Sequence, residues 1–96
     1  MHLTHKLTAL IADDSSLIRE RLVGILFAIN GIDTIAQAKD TSEAKNKIVE
    51  LNPDIVILDI RMPGGGGFEV LRTMKEKNIK SGRNNYGNRQ VRITKV

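Results

Sequence analysis

Two apolar segments of the chain each end at aspartate, and this arrangement limits the possible folds more than any other feature. The first segment, residues 10–12 (Leu-Ile-Ala), is followed by Asp13 and Asp14, and the second, residues 55–58 (Ile-Val-Ile-Leu), is followed by Asp59. Short continuous apolar runs are typical of strands buried in a parallel sheet. The carboxyl ends of such strands meet at one edge of the sheet. The sequence therefore predicts three carboxylates close together at that edge.

A cluster of three carboxylates has a direct chemical consequence. Like charges repel one another strongly unless a cation lies among them. Carboxylate oxygens are the ligands that hard cations such as Mg²⁺ prefer. Asp13, Asp14 and Asp59 are therefore predicted to form a magnesium site that includes a nucleophilic carboxylate, which indicates phosphoryl chemistry.

The hydrophobic pattern alternates between strand and helix along the chain. Strands are predicted at residues 7–12, 32–36 and 55–58. Helical spacing predicts three helices, whose apolar faces contain Ile18, Leu22, Ile25, Leu26 and Ile29; Ala44, Ile48 and Leu51; and Phe68, Val70, Leu71 and Met74. The order β-α-β-α-β-α predicts an α/β fold with a parallel sheet and right-handed crossovers.

Local signals mark where the helices begin and end. Residues 13–16 (Asp-Asp-Ser-Ser) suit the start of the first helix, and residues 40–43 (Asp-Thr-Ser-Glu) resemble a capping box before the second. Asn30-Gly31 and Asn52-Pro53 are predicted to end these two helices. Residues 63–67 (Pro-Gly-Gly-Gly-Gly) are interpreted as a flexible loop in which Gly65 and Gly66 add only flexibility.

Composition and charge narrow the class of protein. The chain has 96 residues, 41% of them hydrophobic, and no cysteine, which fits one small domain without disulfides or thiolate metal sites. No apolar stretch approaches the length of a membrane span, and the polar start does not resemble a signal peptide. A cytoplasmic protein without membrane contact is expected.

The positive charge is concentrated at one end of the chain. Residues 1–79 carry 10 Lys/Arg and 11 Asp/Glu, whereas residues 80–96 carry five Lys/Arg and no acid. We therefore divide the chain into a domain at residues 1–79 and a basic, atypical tail at residues 80–96. The tail makes a small nucleic-acid-binding protein one hypothesis, but such charge runs are more often solvated, and direct DNA binding is not expected.

Three blocks of sequence resemble the receiver domain of bacterial two-component response regulators. They are residues 9–15 (Ala-Leu-Ile-Ala-Asp-Asp-Ser), residues 52–64 (Asn-Pro-Asp-Ile-Val-Ile-Leu-Asp-Ile-Arg-Met-Pro-Gly), and Gly67 with the Phe-Glu-Val-Leu that follows it. The likeness extends from residue 7 to about residue 78, with the blocks in the family's order and spacing. The resemblance implies a flavodoxin-like parallel sheet with flanking helices.

The resemblance also implies a role for each site residue. Asp59 would be the phosphoacceptor, which takes a phosphoryl group from the phosphohistidine of a sensor histidine kinase in a phosphorelay. Asp14 would bind Mg²⁺ directly, Asp13 mainly through water, and the backbone carbonyl of Arg61 would be a further ligand. Such a protein is not an enzyme acting on other molecules, although receivers assist their own phosphorylation and dephosphorylation.

The chain departs from the family after the third helix. A receiver has five strands in the order 2-1-3-4-5, with a Ser or Thr on the fourth and a Lys-Pro on the fifth, and no Lys-Pro is present here. The sequence is thus interpreted as a C-terminally truncated receiver of the order β1-α1-β2-α2-β3-α3. Residues 90–96 alternate enough to form a short strand. Thr94 or Lys95 would then imitate the missing Ser/Thr or Lys of the family, although their spacing from Asp59 does not fit the family.

Truncation suggests an alternative function and a change in assembly. The third strand is expected to be an unpaired edge, and apolar faces of the first and third helices are expected to be exposed, which favours homo-oligomers or pairing through the strand edge. The alternative to a phosphoacceptor is a degenerate, non-switching receiver fragment that acts only as a protein-interaction module.

Overall fold

The computed structural model of the chain describes residues 7–81 and 91–95, with side chains described as far as Glu76. The elements in chain order are β1 (Leu7–Ala12), α1 (Ser16–Phe27), β2 (Ile32–Ala38), α2 (Thr41–Leu51), β3 (Ile55–Asp59), α3 (Gly66–Ser81) and β4 (Val91–Lys95). The strands form one parallel sheet in the order β2-β1-β3-β4. The prediction of an α/β fold with a parallel sheet and flanking helices is confirmed.

The prediction that β3 is an unpaired edge is wrong. β4 lies beside β3 in parallel, with Ile55 opposite Val91 and Asp59 opposite Lys95. The alternating sequence of residues 91–95 thus adds a fourth strand to the sheet, so β3 is central and β4 is the edge. Pairing with another chain through β3 is no longer available. The division at residue 79 stays a prediction, and residues 82–90, which make up about half of the basic tail, lie outside the described residues.

One face of the sheet packs against α2 and α3. The buried cluster there joins alternate residues of the strands to one stripe of each helix, and it contains Leu10, Ala12, Ala38, Ala44, Ile48, Val56, Leu58, Met62, Val70 and Met74. Because side chains alternate along a strand, Val56 and Leu58 lie on this face and the residues between them do not. This cluster is the main core.

The other face packs against α1 among the described helices. Its buried cluster is smaller and consists of Ala9, Ile11, Leu26 and Ile57, with Leu22, Val23, Ile32, Ile35 and Ile55 partly buried around it. The predicted helical stripe is only partly right, because Ile25 is 61% exposed and Ile29 lies beyond the helix end. The described helical layer therefore covers this face of the sheet only thinly.

The helix starts and the end of α2 follow the sequence signals, whereas α1 ends at Phe27, before the predicted stop at Asn30-Gly31. Ser15 caps α1, since its hydroxyl accepts a hydrogen bond from the backbone N of Ile18 at 3.2 Å. Asp40 caps α2 by accepting from Glu43 N at 2.9 Å. The Asn52-Pro53 stop is also confirmed, because Asn52 adopts the left-handed conformation (φ 48°) that ends a helix. Among the described residues, no helix is both long and apolar enough to cross a membrane.

Candidate functional site

The three predicted aspartates meet at the carboxyl edge of the sheet. One carboxylate oxygen from each of Asp13, Asp14 and Asp59 lies within 4.8 Å of the others. The register explains the juxtaposition: Ala12 pairs with Leu58, so one step further Asp13 comes opposite Asp59. Asp13 and Asp59 are buried whereas Asp14 is exposed. The cluster is therefore set into the sheet edge and open to solvent on the side of Asp14.

The chain holds the carboxylate and the backbone of Asp13 in place. Its Oδ1 accepts a hydrogen bond from the backbone N of Ser15 at 2.9 Å, and its own backbone N donates to the carbonyl of Ala38 at 3.0 Å. The first bond closes a tight turn between β1 and α1. The second continues the pairing of β1 with β2 by one residue. The side chain of Asp13 is thus fixed by the strand before it and the helix after it.

The carboxylate of Asp59 is oriented by the turn that follows β3. Asp59 Oδ1 accepts a hydrogen bond from the backbone N of Arg61 at 3.0 Å. The Arg61 residue itself is exposed, beside the cluster. This contact places the Arg61 backbone next to the site, while the predicted role of its carbonyl as a cation ligand stays a prediction.

Close backbone packing requires glycine at positions 66 and 67, so these two residues do more than add flexibility. Gly66 has a φ of 78°, and a Cβ atom on it would lie 2.6 Å from the carbonyl oxygen of Ile60. A Cβ atom on Gly67 would lie 2.8 Å from Cα of Ile60, and Gly67 N donates to the Ile60 carbonyl at 2.8 Å. The interpretation of Gly66 as a source of flexibility alone is therefore wrong, since this glycine lets α3 begin directly against the strand end that carries Asp59.

Thr41 secures the same loop from the opposite helix, and sequence reasoning treated it only as part of a capping box. It is 1% exposed, and its Oγ1 accepts a hydrogen bond from Gly66 N at 3.0 Å. Its backbone N donates to the carbonyl of Pro63 at 3.2 Å. The start of α2 is thereby tied to both ends of the glycine loop. No sequence signal indicated these contacts, because they join two elements that are far apart along the chain.

The set of donor atoms suits a hard divalent cation. Three carboxylates within a few ångströms supply oxygen ligands and a formal charge of −3, and magnesium is typically held by one or two carboxylates together with water and phosphate oxygens. The exposure of Asp14 leaves room for such additional ligands. By contrast, a cleft of about 480 Å³ at the start of α2 is lined by none of the three aspartates. The acidic cluster is the candidate functional site.

The sequence pattern of the response regulator receiver domain matches residues 9–83. The chain belongs to the receiver-domain family of response regulators. It is 40% identical over 65 residues to the response regulator GacA of Pseudomonas syringae pv. syringae, a match that covers 68% of this chain and 30% of that protein. It is 45% identical over 60 residues to the transcriptional regulatory protein LnrK of Bacillus subtilis, covering 62% of this chain and 27% of that protein. The receiver is thus short relative to these relatives.

Solved structures agree with this assignment. The response regulator domain of Thermotoga maritima CheB superimposes with a TM-score of 0.71 and 34% identity, covering 76% of this chain and 55% of that one. The receiver domain of the putative response regulator NarL from Mycobacterium tuberculosis gives a TM-score of 0.74 at 26% identity, covering 94% of this chain and 65% of that one. The flavodoxin-like receiver fold is confirmed.

The register of β4 bears on the predicted partners of Asp59. Thr94 pairs with Leu58 and Lys95 pairs with Asp59, so both residues stand at the edge of the sheet that carries the acidic cluster. The idea that one of them imitates a missing family residue stays a prediction. The number of residues between Asp59 and the tail does not reveal this strand pairing.

Proposed function

We propose that this receiver takes a phosphoryl group onto Asp59 from the phosphohistidine of a sensor histidine kinase, in a two-component phosphorelay that requires Mg²⁺. The observation that carries the proposal is the convergence of three carboxylate oxygens within 4.8 Å at the end of β1 and β3. Membership of the receiver family supports it. The cytoplasmic location expected from the sequence belongs to the same proposal.

In the proposed reaction, a carboxylate oxygen of Asp59 attacks the phosphorus atom. A phosphorus–oxygen bond forms, the phosphorus–nitrogen bond to the kinase histidine breaks, and the electron pair leaves with the imidazole nitrogen. The Arg61 N–H donates to one oxygen of Asp59, which fixes the orientation of the carboxylate. When bound, Mg²⁺ would neutralise charge on the phosphoryl oxygens. Asp13 and Asp14 would hold that ion, with the Arg61 carbonyl as a further ligand.

In this proposal, the protein accepts a phosphoryl group and is not an enzyme acting on other substrates. The chemistry lies in positioning and charge, because phosphoryl transfer needs little covalent assistance from the protein. The burial of Asp59, at 7% exposure, restricts the directions from which a phosphoryl donor can approach. Approach from the side of the exposed Asp14 is the open one.

The decisive experiment is the intact mass of the protein after incubation with a small acyl phosphate, with and without Mg²⁺. One phosphoryl adduct is expected only with Mg²⁺, and it should be lost in Asp59→Asn. Asp33→Asn is the matched control, because Asp33 is an exposed aspartate on β2 outside the cluster, and it should be phosphorylated like the wild type.

An interaction module that is not phosphorylated is the second candidate function. The observation that favours it is the four-stranded sheet of the described residues, which is one strand short of the sheet implied by the family resemblance. Absence of any adduct in the folded wild-type protein, together with binding to a sensor kinase, would establish this function in place of the first.

A further inference from the structure

The side chain of Arg19 links the acidic cluster to two neighbouring elements. Its Nη1 donates a hydrogen bond to the backbone carbonyl of Asp13 at 2.7 Å. Its Nε donates to Oε1 of Gln37 at 2.9 Å. Arg19 lies in α1, Gln37 lies in β2, and Asp13 follows β1. One guanidinium group therefore joins three elements at the edge of the sheet where the carboxylates meet.

The bond to Asp13 acts on the part of the backbone that sets the geometry of the site. The carbonyl of Asp13 belongs to the peptide group between Asp13 and Asp14, and a peptide group is planar. Fixing the plane of this group constrains the directions in which both aspartate side chains leave the backbone. Asp13 N is already held by Ala38 O at 3.0 Å, so the bond from Arg19 fixes the second of the two peptide groups that flank Asp13.

The shape of arginine suits this task. Its planar guanidinium carries several N–H donors in a fixed fork, so two acceptors can be held at once in a defined geometry. A lysine in the same position would keep the charge but would present a compact ammonium on a flexible stem. Of the two acceptors, one is backbone and one is the exposed side chain of Gln37. The fork thus spans from the site to the sheet surface.

We propose that Arg19 is a positioning residue for the cation site, which holds the Asp13–Asp14 peptide so that the two carboxylates converge with Asp59 on a divalent cation. This inference rests on the proposed function, since it takes the cluster to be a Mg²⁺ site. It assigns to Arg19 an effect opposite in sign to that of its charge. A cation near three carboxylates lowers their affinity for Mg²⁺ by electrostatic repulsion, whereas positioning raises it.

The test is the dissociation constant for Mg²⁺, measured by calorimetric titration of the full chain, for the wild type, Arg19→Lys and Arg19→Met. Both substitutions should weaken Mg²⁺ binding, by about tenfold, as is typical when a group that orients a metal ligand is removed. Arg21→Lys and Arg21→Met are matched controls, because Arg21 is an exposed arginine on the same helix. These control variants should have an affinity for Mg²⁺ within about twofold of the wild type, as expected for an exposed charge.

Three results would overturn the inference. Tighter binding by Arg19→Met with unchanged binding by Arg19→Lys would show that Arg19 acts through its charge alone. Unchanged affinity in both, whatever the fall in melting temperature, would show a structural role without positioning. A wild-type protein that is folded and binds no Mg²⁺ would overturn the proposed function as well, so the two failures are distinguishable.

Gln37→Leu keeps the inference testable if the Arg19 variants do not fold. This substitution removes one acceptor of the guanidinium and leaves Arg19 and all three aspartates in place. Because Gln37 is exposed, the fold should tolerate the change. A weaker affinity for Mg²⁺, by a smaller factor than in the Arg19 variants, supports the proposal, and an unchanged affinity counts against it.

Discussion

The two faces of the sheet are packed very differently. On one face, α2 and α3 bury a cluster of ten residues that includes Ile48, Leu58 and Met74. On the other, α1 contributes Leu26 to a cluster of only four buried residues, and its Leu17 and Ile25 remain 55% and 61% exposed. Since hydrophobic stabilisation scales with the apolar area removed from water, most of the stability comes from the first face.

The acidic cluster belongs to the less tightly packed face. Along β3, the side chain of Asp59 follows the alternation of Ile55 and Ile57, which pack toward α1. Where apolar packing is thin, hydrogen bonds from Ser15 N and from the Arg19 side chain hold Asp13 in position. The difference between the faces shows that the core supplies stability and the hydrogen bonds supply the geometry of the site.

The largest effect is expected from truncating the core on the α2 and α3 face. Ile48→Ala should lower the free energy of unfolding by about 2–5 kcal/mol, because the fully buried side chain leaves a cavity. Leu26→Ala, on the α1 face, should fall at the lower end of that range, since fewer buried groups surround it. Urea unfolding measures both losses, and equal losses would contradict the comparison.

A milder variant protects this test. Small domains have about 5–15 kcal/mol of net stability, so a loss at the upper end of the range for Ile48→Ala would leave little folded protein to measure. Ile48→Val removes a single methyl group and should cost about 0.5–1.5 kcal/mol. This variant should also lower the free energy of unfolding, and it should remain mostly folded without denaturant, so its unfolding curve can be measured in full.

Much of the fold and of the site was predictable from the sequence, because both depend on local patterns. The continuous apolar runs gave β1 and β3, and the position of aspartate after each run placed the cluster at a single edge. The pairing of β4 with β3 was not predictable in the same way, since it depends on tertiary contact across a long separation. The alternation in residues 90–96 indicated a strand but carried no information on its neighbour.

The missed details of the site share one cause. The contacts of Thr41 with Gly66 and of Arg19 with Asp13 are made between elements, and the spacing of residues within an element does not reveal them. The exposure of Ile25 was missed for a related reason. Helical periodicity identifies the apolar stripe of α1, but it does not show how much of that stripe the sheet covers.

The second prediction concerns the polar link between the packed face and the glycine loop. Thr41→Val keeps the shape of the side chain and removes the oxygen that accepts from Gly66 N. A buried donor left without its partner should cost about 1–3 kcal/mol. Ser42→Val is the control, since Ser42 is an exposed neighbour on the same helix. Loss of stability in the control as large as in Thr41→Val would mean that helix propensity, and not the bond, is responsible.

The third prediction tests the edge formed by β4. Successive residues of a parallel strand direct their backbone N–H groups to opposite sides, so only one of Ile93→Pro and Thr94→Pro removes a donor to β3. That variant should lose about 0.5–1.5 kcal/mol of stability through the missing hydrogen bond. It should also self-associate more readily, because β3 becomes an exposed edge. Sedimentation velocity together with urea unfolding makes the comparison, and identical behaviour of the two variants would argue against the β3–β4 pairing.

The smallest effect on stability is expected from the exposed surface of α1, where the effect on assembly should be the largest. Ile25→Lys replaces a mostly exposed apolar side chain with a charge that helices accept well, so the free energy of unfolding should change by no more than about 0.5 kcal/mol. If the thinly packed face mediates the expected homo-oligomers, this variant should be more monomeric in sedimentation equilibrium. Phe68→Lys is the matched control, because Phe68 is 67% exposed on α3, which packs on the other face. If Phe68→Lys makes the protein more monomeric and Ile25→Lys does not, the contact surface does not lie on α1. In that case the open packing around α1 would be a property of the monomer and not a site of assembly.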